Sequence, residues 1–329
     1  MLKLIMVLFI VSVVLFTGCI VATEKNNAER IQDAVNLQES QAGMANALGS
    51  LRNDPLNENL RMAYAEKVKA ADEIISLRDG VTDGNGPFLL LGSRKRGILL
   101  IHGFSASPNE VREMALFLHQ KTNATVYAAR LAGHGEDQKN FGNFGAEDWM
   151  LSVEQGYQVI DALSEQNIVI GVSLGGNLAL DIAKVHDVSA IVTLGAPITF
   201  LDARIDKAGI ARIFLNSVPN EKLSEGEKKY YYYNRSVDAI YELNNYIKSM
   251  KEDLWRVKAP ILILQSQKDI TINPSSAEYI FEHISSSQKR IIPYYSNSHI
   301  IIDDPEKDKV FGDILVFILD KEGSQDELA

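Results

Sequence analysis

The chain has 329 residues, 46% of them hydrophobic, and a formal net charge of −10. That leaves room for one large domain with an appendage and enough apolar content for a sizeable core, while the acidic balance argues against nucleic-acid binding, which depends on neutralising phosphates. Cys19 is the only cysteine, which excludes an intramolecular disulfide and a cysteine-based metal site.

Met1-Leu2-Lys3 is followed by an almost unbroken apolar run, Leu4 to Phe16, and then by Thr17-Gly18-Cys19. This has the order of a signal peptide, residues 1–18: charged start, apolar stretch, small residues at a cleavage site. A cysteine directly behind a small pair resembles the lipobox of bacterial-type lipoproteins, in which that cysteine is acylated, although Phe16 stands where leucine is usual. The alternative is an uncleaved anchor, since Leu4 to Ala22 approaches the ~20 residues that span a bilayer. With Lys3 retained inside, either reading predicts a membrane-anchored, extracytoplasmic protein.

Glu24 to Asp79 is polar, alanine-rich and almost free of β-branched runs, which favours helix. One helix is predicted from Ala28 to Leu51 and a second after Pro55, where Leu60, Tyr64, Val68, Ala71 and Ile75 repeat at helical spacing. Such a stripe must be buried, so residues 19–86 are expected to form a lipid-anchored helical spacer and linker that folds back on itself or on the main domain; the alternative is a partner-binding segment. Asp83-Gly84-Asn85-Gly86-Pro87 is a turn signal, and the main domain, residues 87–329, begins there.

Apolar, β-branched runs follow at Ile98 to Ile101, Thr125 to Ala128, Ile168 to Ile170, Ala190 to Leu194, Ile261 to Leu264 and Arg290 to Pro293. They are mostly separated by helix-length segments, which predicts an α/β fold: a mainly parallel sheet with helices on both faces. The interval from Pro197 to Lys258 is about three times longer than one crossover helix needs. With its helical patterning it is predicted to be a small inserted cap, spanning about residues 198–257.

Gly171-Val172-Ser173-Leu174-Gly175-Gly176 sits between the run at Ile168 and the amphipathic stretch Asn177-Leu178-Ala179-Leu180. The pattern G-x-S-x-G between a strand and a helix is a nucleophile elbow, with the serine on a strained turn in front of a helix N-terminus that suits an oxyanion. A serine nucleophile needs a base and an acid to orient that base. Of the six histidines, His299 follows the last strand in a short loop and Asp269 follows the strand before it, so both fall on the carboxyl edge of the sheet with Ser173. The order serine, acid, histidine is that of an α/β-hydrolase. His119, His186 and His283 lie in or near predicted helices and are expected to face solvent. His102 and His134, in glycine-flanked loops, are expected to brace those loops, and Asp303 and Asp304 to cap the final helix. The oxyanion donors expected by position are the N–H groups of Leu174, next to the serine, and of Phe104, in the loop after the first of these strands.

These stretches carry a resemblance. His102-Gly103-Phe104 through Ser107-Pro108-Asn109-Glu110, Leu131-Ala132-Gly133-His134-Gly135, Glu147-Asp148-Trp149, the elbow, Asp253-Leu254 with Ala259-Pro260, Gln267-Lys268-Asp269 with Pro274-Ser275-Ser276-Ala277, and Ser296-Asn297-Ser298-His299 with Asp303 occur in the order found in bacterial carboxylesterases of the α/β-hydrolase superfamily. From about Gly97 to Leu319 the chain resembles that group, which includes monoacylglycerol lipases; Ala132 stands where proline is usual. The resemblance implies Ser173, Asp269 and His299 as nucleophile, acid and base, Phe104 and Leu174 as oxyanion donors, and no metal or organic cofactor. It implies hydrolysis of carboxylic esters through an acyl-serine intermediate.

Cap residues Phe214 and Tyr241 are candidates for substrate binding, and Tyr230-Tyr231-Tyr232-Tyr233 offers amphipathic rings for a lipid-like ester or a wet groove edge. Short to medium acyl chains are therefore expected. A thioesterase or small-peptide hydrolase on the same fold, or a non-catalytic membrane-tethered binding protein, are the alternatives, because a fold does not set the leaving group.

Overall fold

The computed structural model describes residues 27–220, 230–295 and 298–323. The predicted leader, Cys19 and residues Ser296 and Asn297 of the histidine loop lie outside them.

All but the last of the apolar runs become strands that bury both faces, as a sheet covered on two sides requires. Strands β1 (Phe88–Leu90), β2 (Ser93–Ile101), β3 (Ala124–Ala129), β4 (Gln166–Val172) and β5 (Ala190–Leu194) precede the cap. Within the cap, β6 (Ser217–Pro219) and β7 (Asn234–Ser236) form a separate antiparallel ribbon. Strands β8 (Ile261–Ser266) and β9 (Lys289–Tyr294) follow, and the seven-stranded sheet has the order β1-β3-β2-β4-β5-β8-β9. Only β1 runs antiparallel to its neighbour, with Phe88 opposite Ala128. All six strands expected from the sequence are present; β1 and the cap ribbon are additions.

Period-two alternation divides the core. Ile98, Leu100, Ile168 and Ile170 point to one face, where they meet Val111, Met114 and Leu118 around the helix Arg112–Thr122 and Phe311 and Ile314 of the C-terminal helix Lys307–Gly323. Leu99, Ile101 and Val169 point to the other, against the helices Ala146–Leu163, Leu174–Val185, Val237–Met250 and Ser275–His283. In chain order the helices are α1 (Asn27–Asn53), α2 (Glu58–Asp79), α3 (Arg112–Thr122), α4 (Ala146–Leu163), α5 (Leu174–Val185), α6 (Ala208–Ala211), α7 (Val237–Met250), α8 (Ser275–His283) and α9 (Lys307–Gly323).

Helices α1 and α2 form a hairpin whose stripe of Tyr64, Ala65 and Val68 joins the same core as Leu99 and Trp149. Asn57 caps α2, accepting from the Leu60 N–H, and Gly80 ends it in the left-handed conformation. Arg61, 1% exposed, pins this hairpin to the sheet. Its guanidinium donates to the Leu163 carbonyl at 2.8 Å, the Gly92 carbonyl at 2.8 Å and Thr125 Oγ1 at 2.8 Å, with Glu58 Oε1 beside it at 2.6 Å. A fully hydrogen-bonded buried cation of this kind is costly to remove, because its loss strands several acceptors at once. The hairpin's other end is tied by an Arg130–Asp79 ion pair, and Arg130 also holds Glu136 at 3.2 Å in the loop behind β3.

Candidate active site

Strand β4 turns into helix α5 so tightly that only glycines fit. A Cβ on Gly171 would lie 2.0 Å from the Gly175 carbonyl oxygen, and one on Gly175 would lie 2.2 Å from that of Ile101. Between them Ser173 adopts φ 51° and ψ −118°, a conformation that costs a non-glycine residue free energy and is held by its surroundings. Its N–H donates to Leu194 on β5 at 2.8 Å, and its carbonyl accepts from Gly176 at 2.8 Å. The side chain is thereby lifted to the carboxyl edge of the sheet in front of the α5 N-terminus.

The loop after β8 delivers Asp269, 4% exposed. Its Oδ1 accepts the Thr271 N–H at 2.7 Å and the Ile272 N–H at 2.9 Å, and its Oδ2 accepts the His299 Nδ1–H at 2.6 Å and Gln265 Nε2–H at 3.3 Å. Burial acts to raise its pKa, but the His299 bond, the His299 charge and the two backbone donors outweigh it and hold the carboxyl below its ordinary value. Asp269 is therefore a carboxylate that can only accept, which places the His299 proton on Nδ1 and leaves Nε2 as the acceptor facing Ser173 Oγ at 2.9 Å. Three residues expected together from the sequence thus form one hydrogen-bonded chain across loops 96 and 30 residues apart, and that chain can move the serine proton to the imidazole.

Leu174 opens α5, directly behind the serine. Phe104 follows Gly103 in the loop after β2, and a Cβ on Gly103 would lie 3.5 Å from the Ser173 Cβ, so the loop passes close to that serine. The phenylalanine ring faces away into an aromatic cluster with Phe141 at 4.9 Å, Trp149 at 5.9 Å and His134 at 6.3 Å. His102 braces this loop: its Nε2 accepts the Leu131 N–H at 3.2 Å, so Nδ1 carries the proton and donates to the Gly103 carbonyl at 2.9 Å. Burial first, then nearby Arg130, hold His102 neutral with its pKa lowered to about 4, against the pull of that carbonyl bond. His134 is likewise buried, donating Nδ1–H to the Ala132 carbonyl at 3.0 Å. Neither ring is bonded to Ser173.

His186, just past the end of α5, bonds Glu154 Oε2 at 2.7 Å, His119 on α3 bonds the Ala124 carbonyl at 2.8 Å, and His283 on α8 stacks on Tyr279 at 3.8 Å. The expected duty of the acidic pair before α9 divides. Asp304 accepts the Glu306 N–H at 3.1 Å in the turn that leads into the helix, whereas Asp303 accepts the Tyr230 hydroxyl at 2.5 Å. Asp304 thus shapes the turn ahead of the helix, and a cap tyrosine claims Asp303.

Two of the four cap tyrosines stand differently from the groove-lining role expected of the run, while Tyr233 is exposed. Tyr231 and Tyr232 are buried, the first donating its hydroxyl to Glu110 Oε1 and the second to the Gly133 carbonyl at 2.9 Å. Of the two candidate substrate residues, Phe214 is 78% exposed and Tyr241 lies under the Arg212 guanidinium at 4.5 Å; neither is bonded to or stacked on the triad. Glu110 was not singled out by the sequence, yet positions 110, 111, 114, 115 and 118 share one helical stripe that is otherwise apolar and buried. A carboxylate on such a stripe signals a dedicated hydrogen-bond partner.

A mainly parallel sheet with a strained serine at its topological centre and an acid and histidine on neighbouring strand ends is the arrangement of an α/β-hydrolase. The model of the alpha/beta hydrolase family matches residues 98–306, and the chain belongs to that family. It is 29% identical over 224 residues to the thermostable monoacylglycerol lipase of Bacillus sp. (strain H-257), covering 67% of this chain and 89% of that one. It is 26% identical over 240 residues to a carboxylesterase of Bacillus subtilis (strain 168), covering 70% and 95%. Among solved structures, one from a study of the metagenome-derived lipolytic enzymes LipS and LipT superposes with a TM-score of 0.68 at 26% identity, over 73% of this chain and 99% of that one. The Paleococcus ferrophilus monoacylglycerol lipase shares the fold at a TM-score of 0.61 and 17% identity, over 71% and 98%.

Proposed function

We propose that the protein is a serine hydrolase of carboxylic esters with short to medium aliphatic acyl chains, monoacylglycerol being the favoured natural form. The observation that carries this reading is the Ser173–His299–Asp269 chain of hydrogen bonds at 2.9 and 2.6 Å on the elbow. His299 Nε2 takes the Ser173 proton as Oγ attacks the ester carbonyl, and Asp269 stabilises the imidazolium that forms. The N–H groups of Phe104 and Leu174 hold the tetrahedral oxyanion, at the positive end of the α5 dipole. His299 then returns its proton to the departing alcohol, and water admitted by the same base hydrolyses the acyl-serine. Similarity to a monoacylglycerol lipase and to a carboxylesterase supports the ester over other acyl substrates.

The cap supplies the apolar side chains for an acyl groove, Phe214 and Tyr241 among the candidates, and each buried methylene contributes up to about 0.8 kcal/mol, close to fourfold in kcat/KM. Measured on p-nitrophenyl and monoglyceride esters from two to sixteen carbons, catalytic efficiency is expected to rise with chain length and to fall once the groove is filled. A profile that peaks at acetate and declines steadily, or cleavage of aminoacyl amides without ester activity, contradicts this reading.

The leader pattern supports attachment at Cys19, and with it a membrane-anchored, extracytoplasmic position, on the cell membrane or the outer envelope. Two or more acyl chains on one cysteine give stable anchoring where one gives only marginal binding. Cys19→Ser is expected to abolish processing and lipid labelling of the precursor; unchanged processing in the variant favours an uncleaved anchor instead.

A further inference from the structure

Consecutive cap residues bond three different loops at the active edge. The Tyr230 hydroxyl donates to Asp303 at 2.5 Å in the loop behind His299. Tyr232 donates its N–H to the Ser105 carbonyl at 2.8 Å and its hydroxyl to Gly133 at 2.9 Å, and accepts the Glu136 N–H at 3.0 Å. Between them, the Tyr231 hydroxyl donates to Glu110 Oε1.

Glu110 is 4% exposed in the turn Pro108–Val111, and its second oxygen, Oε2, accepts the Gly103 N–H at 2.6 Å. The consequence follows from peptide geometry. Gly103 lies between two peptide groups, and the second of these carries the Phe104 N–H. Because that peptide is planar and trans, its N–H points opposite to its carbonyl, the Gly103 oxygen held by His102 at 2.9 Å. Glu110 anchors the peptide on the near side of the glycine and His102 the one on the far side. A glycine with one anchor removed regains access to backbone conformations closed to other residues, and the Phe104 N–H swings with it.

We propose that Glu110 is a positioning residue of the oxyanion-binding loop, and that Tyr231, by bonding it from the cap, ties the geometry of that loop to the cap. This rests on the ester-hydrolase reading and on Phe104 as an oxyanion donor. The role requires an acceptor for Gly103 and a polar partner for Tyr231, not a charge. Burial pushes the Glu110 carboxyl up to about 8, against the pull of the Tyr231 and Gly103 bonds and with nearby Asp303 adding to the rise; in the uncharged acid Oε1 carries the proton, either hydroxyl of the Tyr231–Glu110 pair can donate to the other, and Oε2 still accepts the Gly103 N–H. Glutamine offers the same pattern of one carbonyl acceptor and one donor.

The test is steady-state hydrolysis of p-nitrophenyl butyrate by the wild type and by Glu110→Gln, Glu110→Leu and Tyr231→Phe, with thermal unfolding of each. Glu110→Gln is expected to keep kcat within about threefold of wild type. Glu110→Leu is expected to lower kcat about 100-fold, on the scale of losing one oxyanion donor, with KM within about threefold. Tyr231→Phe is expected to lower kcat about tenfold, again without a matching change in KM. A loss in Glu110→Leu smaller than about tenfold, a loss carried by KM, or glutamine as damaging as leucine overturns the proposal. If Glu110→Leu does not fold, Tyr231→Phe decides, and a kcat loss under about threefold there overturns it. An inactive wild type would instead condemn the ester-hydrolase reading itself, whereas an active wild type with unaffected variants condemns only this proposal.

Discussion

Ser173→Ala is expected to lower ester hydrolysis by at least about 1000-fold while leaving the fold and its melting temperature nearly unchanged. The size follows from the division of labour at the site. Removing the nucleophile ends acyl transfer, and only the oxyanion donors and binding remain to help water attack directly. The small effect on stability follows from what Oγ touches, which is His299 Nε2 at 2.9 Å at the edge of the sheet and nothing in the apolar core. Alanine meets the same backbone demand at φ 51° that serine does. His299→Ala is expected to behave alike, and residual activity above one part in about 1000 in either variant would point to a different nucleophile or base.

Asp269→Asn is expected to cost about 10,000-fold in kcat, although it changes no heavy-atom position. Oδ1 accepts two backbone N–H groups at 2.7 and 2.9 Å, so an asparagine must keep its carbonyl there and turn its NH2 toward His299. Facing a donor, His299 Nδ1 becomes the acceptor and the ring proton moves to Nε2, where it meets Ser173 and blocks proton removal. Asp303→Asn makes the contrasting case. That residue is four positions from His299 in sequence but bonds Tyr230, so its loss is expected to cost no more than about tenfold, the scale of a disturbed loop. If Asp303→Asn were the more damaging of the two, Asp269 would not be the acid of this site.

Those residues were legible because each sits where the α/β rhythm ends. A strand of β-branched residues stopped by Gly171-Val172-Ser173, another stopped before Asp269 and a third before His299 declare the same sheet edge through local pattern alone. The apolar stripe at Tyr64, Val68 and Ala71 was legible in the same way as a buried face. What covered it was not, because Arg61 reaches partners 102, 31 and 64 residues away and a lone arginine in a polar helix carries no sign of that. Strand β1 was missed because its three residues, Phe88–Leu90, follow directly on a turn and are too few to show alternation. The cap ribbon was missed because Ser217-Val218-Pro219 and Asn234-Arg235-Ser236 carry no apolar alternation. The tyrosine run misled for a related reason. Four consecutive amphipathic rings read as a wet groove edge, but two of them are buried, and the stripe that marks Glu110 as needing a partner does not say that this partner is the second tyrosine, 121 positions later.

Covalent trapping tests whether Ser173 is the activated nucleophile of a serine hydrolase. The intact protein is treated with a fluorophosphonate probe at neutral pH, digested, and the modified peptide sequenced by mass spectrometry. One probe adduct per chain is expected on Ser173, abolished in Ser173→Ala and strongly slowed in His299→Ala. No adduct on the active wild-type protein, or an adduct on another residue that persists in Ser173→Ala, would contradict it.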